Sequence, residues 1–266
     1  PLEVYQGANT LGLSLDTFLG QLKDAGLGSL PGTAAEILDD EVRAILCPDK
    51  VNTSQWLEVI ETAHSVGLKT TSTIMFGHVE TPIHWARHLI KLRDLQSRTG
   101  GITEFVPLPF VHMEAPIFLK GGARRGPSWR ETVLIHAVSR LALNPLIQNI
   151  QTSWVKLGPI GASICLESGA NDLGGTLMNE TITRSAGASH GQELAPQEMD
   201  ALIRELGREP SQRSTLYGNV SKQQEVKSYS AMPLDDVVNN PVRKYSKKVK
   251  PQFFNTSEQK VQQLAE

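Results

Sequence analysis

The stretch that decides the fold is Thr70-Thr71-Ser72-Thr73-Ile74-Met75-Phe76-Gly77, which is rich in β-branched side chains and ends in glycine. A run of this kind is typical of a buried β-strand. An amphipathic helical pattern precedes it, with a capping residue at Asn52 or Thr53 and a stop at Gly67. A second helical pattern follows it from Thr81-Pro82. The strand is therefore predicted to lie between two helices.

The same alternation continues in both directions along the chain. Further strands are predicted within residues 28–37, 104–108 and 148–155. Further helices are predicted after Ser14, around 133–141 and near 160–167. Parallel neighbours need a crossover connection, so this order predicts an α/β fold with a parallel sheet, either a β/α barrel or an open doubly wound sheet. A dinucleotide-binding Rossmann domain has no support, because no Gly-x-Gly-x-x-Gly follows a predicted strand.

Four β/α units make half of an eight-fold barrel, so we expect the first strands of such a barrel to lie before Pro1. The opening residues are neither an initiator methionine nor a signal peptide, and we expect the chain to begin within a longer protein. Residues 1–220 are predicted to be a partial barrel with a C-terminal segment. From Ser221 no core-forming period is visible, so residues 221–266 are predicted to be a mostly disordered tail.

Composition argues against several classes of partner. The net charge of −2 gives no basic field for nucleic acid or a membrane surface, and no run approaches the ~20 apolar residues of a membrane-spanning helix. The two cysteines, Cys47 and Cys165, are far apart and indicate a reducing compartment rather than a disulfide framework. We expect a cytoplasmic location, or an organellar one if a transit peptide lies upstream.

The active site of a β/α barrel lies at the carboxyl ends of its strands. Polar residues follow the predicted strands there: Glu36, His78, Glu80, His112, Glu114, Gln151, Ser153, Lys156, Asn171 and Asp172. Amides, hydroxyls and carboxylates suit hydrogen bonding to a polyhydroxylated heteroaromatic ligand better than cradling a phosphate. A zinc site is disfavoured, because His84 and His88 have helical spacing but Trp85 stands where the zinc motif has glutamate. The string Gly-x-Ser-x-Gly at 187–191 follows a predicted helix, whereas the nucleophile elbow of a serine hydrolase follows a strand, so a hydrolase is disfavoured.

Six strings resemble the tyrosine-transferring component of FO synthase, a radical S-adenosylmethionine (SAM) enzyme family. They are GLGSLPGTAAEIL (26–38), TIMFGHVET (73–81), TEFVPLPF (103–110), NIQTSWVKLG (149–158), GANDLGGTLM (169–178) and QRSTLY (212–217). The resemblance runs from Pro1 to about Tyr217. It implies a radical-SAM β/α barrel with a 4Fe-4S cluster, in which a deoxyadenosyl radical abstracts hydrogen from tyrosine. The hydroxybenzyl fragment is then joined to 5-amino-6-(D-ribitylamino)uracil on the way to the deazaflavin chromophore.

The resemblance also implies site residues and partners. By position, Glu36 and Arg43 would face SAM, and His78, Gln151, Asn171 and Asp172 would line the substrate pocket. The ligands implied are tyrosine and the ribitylaminouracil, together with a fused or separate second FO synthase component. The family's Cys-x-x-x-Cys-x-x-Cys cluster motif is missing from this chain, so we predict that the chain itself holds no cluster and cleaves no SAM.

Three hypotheses follow from the sequence. The chain is a piece of a working FO synthase, or it is a truncated, non-catalytic barrel that acts at most as a binding or interaction module. The third hypothesis is a cofactor-independent aldolase, which would need a buried lysine in a strand, and Lys156 is its candidate.

Overall fold

The computed structural model describes residues 1–190 and 192–234 of the 266-residue chain. Three parallel strands form a sheet in chain order: β1 (Ser29–Leu30), β2 (Lys69–Phe76) and β3 (Ile102–Pro109). Parallel bridges continue the order beyond β3, from Phe105 to Ile150 and from Gln151 to Asp172. Five chain segments therefore lie side by side in the order in which they occur in the sequence. This arrangement confirms the predicted α/β fold with a parallel sheet.

Helices separate the strands and continue after them. They are α1 (Leu2–Leu11), α2 (Leu15–Asp24), α3 (Asp40–Leu46), α4 (Thr53–Ser65), α5 (Pro82–Thr99), α6 (Pro116–Leu119), α7 (Trp129–Leu143), α8 (Trp154–Glu167), α9 (Ile182–Ser185), α10 (Pro196–Glu205) and α11 (Lys222–Tyr229). Among the described residues, none of them is both long and apolar enough to cross a membrane.

Of the two capping residues predicted before β2, Asn52 is the one that caps α4. Asn52 and Gln55 form a capping box at α4, in which each side chain accepts a hydrogen bond from the other residue's backbone N–H. Ser128 and Glu131, for which no cap was predicted, do the same at α7. Each such cap stabilises a helix by about 1 kcal/mol. The caps matter for the site because α7 begins next to the carboxyl end of β3.

One face of the sheet packs against the helices. Ile74 and Phe76 of β2 are fully buried in a core that also contains Trp56 of α4 and Trp85 of α5. The rings of Phe76 and Trp85 meet edge to face at 5.8 Å. Because side chains alternate along a strand, the intervening residues face the other way. We call that opposite side, which carries Thr73, Met75, Glu104, Gln151 and Asp172, the inner face.

Several predicted boundaries were wrong. The predicted strand at 148–155 is reduced to the bridges at Ile150 and Gln151, because Trp154 and Val155 already belong to α8. Trp154 and Val155 extend from α8 into a second apolar core, which also includes Ile150 and Cys165. Within 28–37 the described strand is only two residues long.

The predicted disordered tail begins with a helix. Lys222–Tyr229 forms α11, in which Ser221 caps the first turn by accepting a hydrogen bond from the N–H of Gln224. No residue of α11 is buried. The prediction for residues 235–266 lies outside the described residues.

Candidate functional site

A cleft of about 300 Å³ lies at the carboxyl end of β3. The residues after β3 form one side of it, and the segment before α7, the first turn of α8 and residues 187–190 form the others. Its apolar lining includes Phe110, Met113, Pro127 and Trp129. Ligand sites of barrels and open α/β sheets lie at this edge, so the cleft is the first place to look for one.

Lys156 brings a cation to the cleft. It lies in the first turn of α8, half-buried, and its Nζ donates a hydrogen bond to Oγ1 of Thr183 at 3.3 Å. Burial lowers the pKa of Lys156, and the charges of Glu180 and Glu36 act in the opposite direction. The lysine therefore stands in a desolvated position with one long hydrogen bond among the described residues.

His78 and Glu80 support one wall of the cleft from beneath. The Glu80 carboxylate is fully buried and accepts hydrogen bonds from the N–H groups of Gly77 and His78 at 2.5 and 2.8 Å. It also accepts from Trp85 Nε1 at 3.1 Å and from the Arg124 guanidinium at 3.2 Å. The N–H of Arg124 donates in turn to the His78 carbonyl. The loop after β2 is thereby fixed to the segment that leads to α7.

The electrostatics of this cluster favour the ionised carboxylate. Burial alone would raise the pKa of Glu80, but the hydrogen bond and charge of His78 and the two backbone N–H groups hold that pKa well below its usual range. His78 is 1% exposed, and its Nε2 lies 2.9 Å from the Met75 carbonyl oxygen. The sequence placed His78 in the substrate pocket, whereas the structure places its ring inside the wall.

The wall leaves no room for a side chain at Gly77. The residue has φ +97°, and a Cβ built there would lie 2.3 Å from Cδ of Pro127. Gly126 is equally confined, because its Cβ would meet the Phe110 carbonyl oxygen at 2.7 Å. Glycine at both positions lets the loop after β2 and the segment before α7 touch through their backbones.

A second cluster occupies the inner face of the sheet. The Arg213 guanidinium lies between two carboxylates, with Nη2 2.9 Å from Oδ1 of Asp172 and 3.2 Å from Oε2 of Glu104, and its Nε also donates to Asp172. Tyr217 donates its hydroxyl to Glu104 at 2.5 Å, and its ring stacks with the same guanidinium at 4.0 Å. The segment after α10 is thus anchored to β3 and to the bridge at residue 172.

The pKa values of both Glu104 and Tyr217 are raised above their ordinary values. Burial raises the pKa of Glu104, and the Tyr217 hydrogen bond and the Arg213 charge oppose that rise. Burial and the charges of Asp172 and Glu104 raise the pKa of Tyr217. The sequence gives no role to Glu104, Arg213 or Tyr217. Arg213 and Tyr217 follow Glu104 by 109 and 113 positions, and a single sequence carries no signal that pairs residues so far apart.

The residues predicted to face SAM lie in the segment that follows β1, where the Glu36 carbonyl accepts a hydrogen bond from the N–H of Met75 in β2. Glu36 has φ +44° and its carboxylate pairs with Nζ of Lys50 at 2.7 Å. Arg43 is 3% exposed, and its guanidinium donates to the backbone carbonyls of Ala34, Ala35 and Val51. Arg43 therefore holds the loop that carries Glu36, with its hydrogen-bond donors directed at the protein.

The four residues predicted to line the substrate pocket do not form one group. Gln151 and Asp172 are bridge partners on the inner face, and Gln151 packs against Gly174. His78 is inside the cleft wall. Asn171 is exposed and uses its Oδ1 to accept from the N–H of Ile150 and from Arg140. The structure brings together two of the four.

Comparison with known proteins agrees with the resemblance seen in the sequence. A family model described as the CofH/MqnC C-terminal region matches residues 99–226. This part of the chain is similar to the C-terminal region of that family. The match contains Glu104, Lys156, Asp172 and Arg213, and therefore both the inner-face cluster and all the lining residues of the cleft.

Curated relatives extend the similarity over most of the chain. The 5-amino-6-(D-ribitylamino)uracil–L-tyrosine 4-hydroxyphenyl transferase of Methanothermobacter thermautotrophicus is 53% identical over 220 residues, which are 83% of this chain and 60% of that protein. The FO synthase of Mycobacterium tuberculosis is 54% identical over 217 residues, 82% of this chain and 25% of its own length. The chain thus spans about 60% of the first relative and a quarter of the second.

Among solved structures, a phosphonopyruvate hydrolase overlaps 73% of this chain and 61% of its own chain at a TM-score of 0.39 and 13% identity. A score at this level carries no conclusion about the fold.

The residues present do not fit the iron–sulfur cluster that the resemblance implies. Such a cluster needs several thiolates at close spacing, and the sequence has two cysteines. Cys47 lies at the end of α3 and Cys165 lies within α8 in the second core, and both are buried. Burial raises the pKa of the Cys165 thiol to about 11, which disfavours the thiolate.

A metal site of another kind has little support. Asp39, Glu41 and His84 bring one ligand atom each to within 4.8 Å of one another. Asp39 is already paired with Arg87 at 3.1 Å and accepts the N–H of Glu41 at the start of α3. The arginine supplies the positive charge that an ion would bring.

Proposed function

We propose that this chain forms the substrate-binding region of a transferase that joins the 4-hydroxybenzyl group of tyrosine to 5-amino-6-(D-ribitylamino)uracil in deazaflavin biosynthesis. The observation that carries the proposal is 53% identity over 220 residues with a transferase of that name. The chain covers 60% of that relative, so the activity of the whole protein is inferred from the part that matches. The cleft and the inner face supply surfaces for the two small molecules.

The fold we propose for the complete enzyme is a radical-SAM β/α barrel. Five parallel segments in chain order, joined by helices, are the pattern of such a barrel, and the cleft lies at their carboxyl ends. SAM and a 4Fe-4S cluster belong to the complete enzyme in this proposal, with cluster ligands from outside this chain. A second FO synthase component, fused or separate, is proposed as its partner.

The chain's own residues then have positioning and binding roles. Glu36 is proposed to face SAM, and Arg43 fixes the loop on which Glu36 stands through its bonds to the backbone carbonyls. Gln151 is proposed to bind the ribitylaminouracil from the inner face. Its side-chain amide has no hydrogen bond within the described residues. Asp172 accepts hydrogen bonds from Arg213 and from the N–H of Gly174, and so fixes the chain beside Gln151.

Two other hypotheses fit less well. A non-catalytic binding module would not account for high identity to enzymes over more than four-fifths of the chain. The aldolase hypothesis required a lysine in a strand, whereas Lys156 lies in the first turn of α8. A Schiff-base lysine also needs a proton-transfer partner, and the described hydrogen bond of Lys156 goes to a threonine.

Calorimetric titration of the folded chain tests the proposal. We expect saturable one-to-one binding of L-tyrosine and of 5-amino-6-(D-ribitylamino)uracil, with riboflavin and L-leucine as unrelated controls. Folding of the sample is verified by circular dichroism before titration. Binding of neither substrate by a folded chain contradicts the proposal.

A further inference from the structure

The charges that line the cleft share one sign. Lys156 and Arg125 are the cations of the lining, which also includes the imidazole rings of His112 and His190. No carboxylate lines the cleft within the described residues, and Glu180 and Glu36, whose charges act on Lys156, lie outside that lining. A concave site with cations and no anions attracts a negatively charged group.

Lys156 is the group best placed to receive that charge. An ammonium has three N–H donors, and among the described residues Lys156 uses one of them, on Thr183 at 3.3 Å. It is half-buried, so its hydration is incomplete. A desolvated cation without an ion pair is costly, and an incoming carboxylate would offset that cost.

Another part of the cleft lining is apolar and partly open to solvent. Trp129 is 56% exposed and Met113 is 41% exposed, although both side chains line the cleft. Phe110 and Pro127 continue the same apolar surface. Aromatic rings pack well against tryptophan and methionine side chains. The volume of about 300 Å³ is at the lower end of ligand pockets and suits one amino acid.

We propose that this cleft binds the aromatic amino acid substrate, with its carboxylate on Lys156 and its ring against Trp129 and Met113. The inference rests on the proposed function and adds the place and orientation of tyrosine. Arg125 is the second cation available to the carboxylate. The ribitylaminouracil is left to the inner face, where Gln151 lies.

The test is equilibrium binding of L-tyrosine and tyramine to the full chain and two variants. Tyramine has the same ring and amine but no carboxylate. We expect Lys156→Met to weaken tyrosine binding by about tenfold or more, as the loss of a charge-assisted contact does, and to leave tyramine binding unchanged. Lys156→Arg should keep most of the tyrosine affinity. Lys222→Met, at an exposed position in α11, is the matched control and should change nothing.

The outcomes separate the inference from the proposed function. Equal tyrosine affinity in Lys156→Met, or tyramine bound as tightly as tyrosine, would overturn the assignment of the carboxylate to Lys156. A folded chain that binds the ribitylaminouracil but not tyrosine overturns this inference and leaves the proposed function standing. Binding of neither ligand overturns both. Trp129→Leu adds an independent check, because it should weaken tyrosine and tyramine together.

Discussion

Replacement of Glu80 by glutamine should destabilise the protein through the cleft wall. The carboxylate is fully buried and is held by two backbone N–H groups, Trp85 and Arg124. Glutamine has nearly the same shape but no charge. Its side-chain NH₂ group would face at least one of the N–H donors that now bind the carboxylate. Breaking such a cluster should cost about 2–4 kcal/mol in the free energy of unfolding at neutral pH.

The effect of Glu80→Gln should also depend on pH. The pKa of Glu80 is lowered in the folded state, so its stabilisation is fully present above the ordinary carboxyl pKa of 4.5 and is lost as the pH falls below it. The difference between wild type and Glu80→Gln should therefore be constant from pH 6 to 8 and should shrink as the pH falls below ~4.5.

Urea denaturation followed by tryptophan fluorescence measures both effects, and Trp85 is itself a partner of Glu80. The matched control is Glu61→Gln, which removes an ion pair with Arg98 in which both side chains are about half exposed. That control should cost less than ~1 kcal/mol. A Glu80→Gln protein as stable as the Glu61→Gln protein at pH 7 would refute the assigned role of the carboxylate.

Three further predictions concern glycines and a thiol. Gly77→Ala should lower the midpoint of thermal unfolding by several degrees, because of its positive φ and the contact with Pro127, whereas Gly175→Ala, where nothing lies within 4 Å, should not. Gly20→Ala, in the middle of α2 with open space around the added methyl, should raise the free energy of unfolding by about 0.5–1 kcal/mol in urea titrations. Cys165, whose pKa burial raises to about 11, should resist a disulfide reagent at pH 8 until urea unfolds the chain, and rapid labelling of the native protein would contradict its place in the second core.

The sheet could be predicted because its strands and helices carry strong local signals. The β-branched run that forms β2 and the cap at Asn52 can be predicted without tertiary information. The run at 148–155 was misassigned because a short apolar stretch fits a buried strand and a buried helix turn equally well. Trp154 packs into the second core from α8, and only the tertiary structure decides between the two.

The site could be predicted in location but not in detail. The rule that ligands bind at the carboxyl ends of parallel strands led to residues near the cleft, including His78 and Lys156. Whether a polar side chain faces the ligand or the protein depends on contacts that are distant in sequence. His78 turned out to bond to Met75 and Glu80, and Arg213 reaches Glu104 from 109 positions away.

The measurement that tests the central claim most directly is turnover by a chimaera. The 220 matching residues of the Methanothermobacter thermautotrophicus transferase would be replaced by those of this chain, with the rest of that relative kept. After loading with iron and sulfide, the chimaera is assayed with tyrosine, SAM and 5-amino-6-(D-ribitylamino)uracil, and the coupled product is measured by mass spectrometry. We expect the coupled product, because we propose that this chain forms the substrate-binding region. A folded, cluster-containing chimaera that cleaves SAM but forms no coupled product would contradict the account.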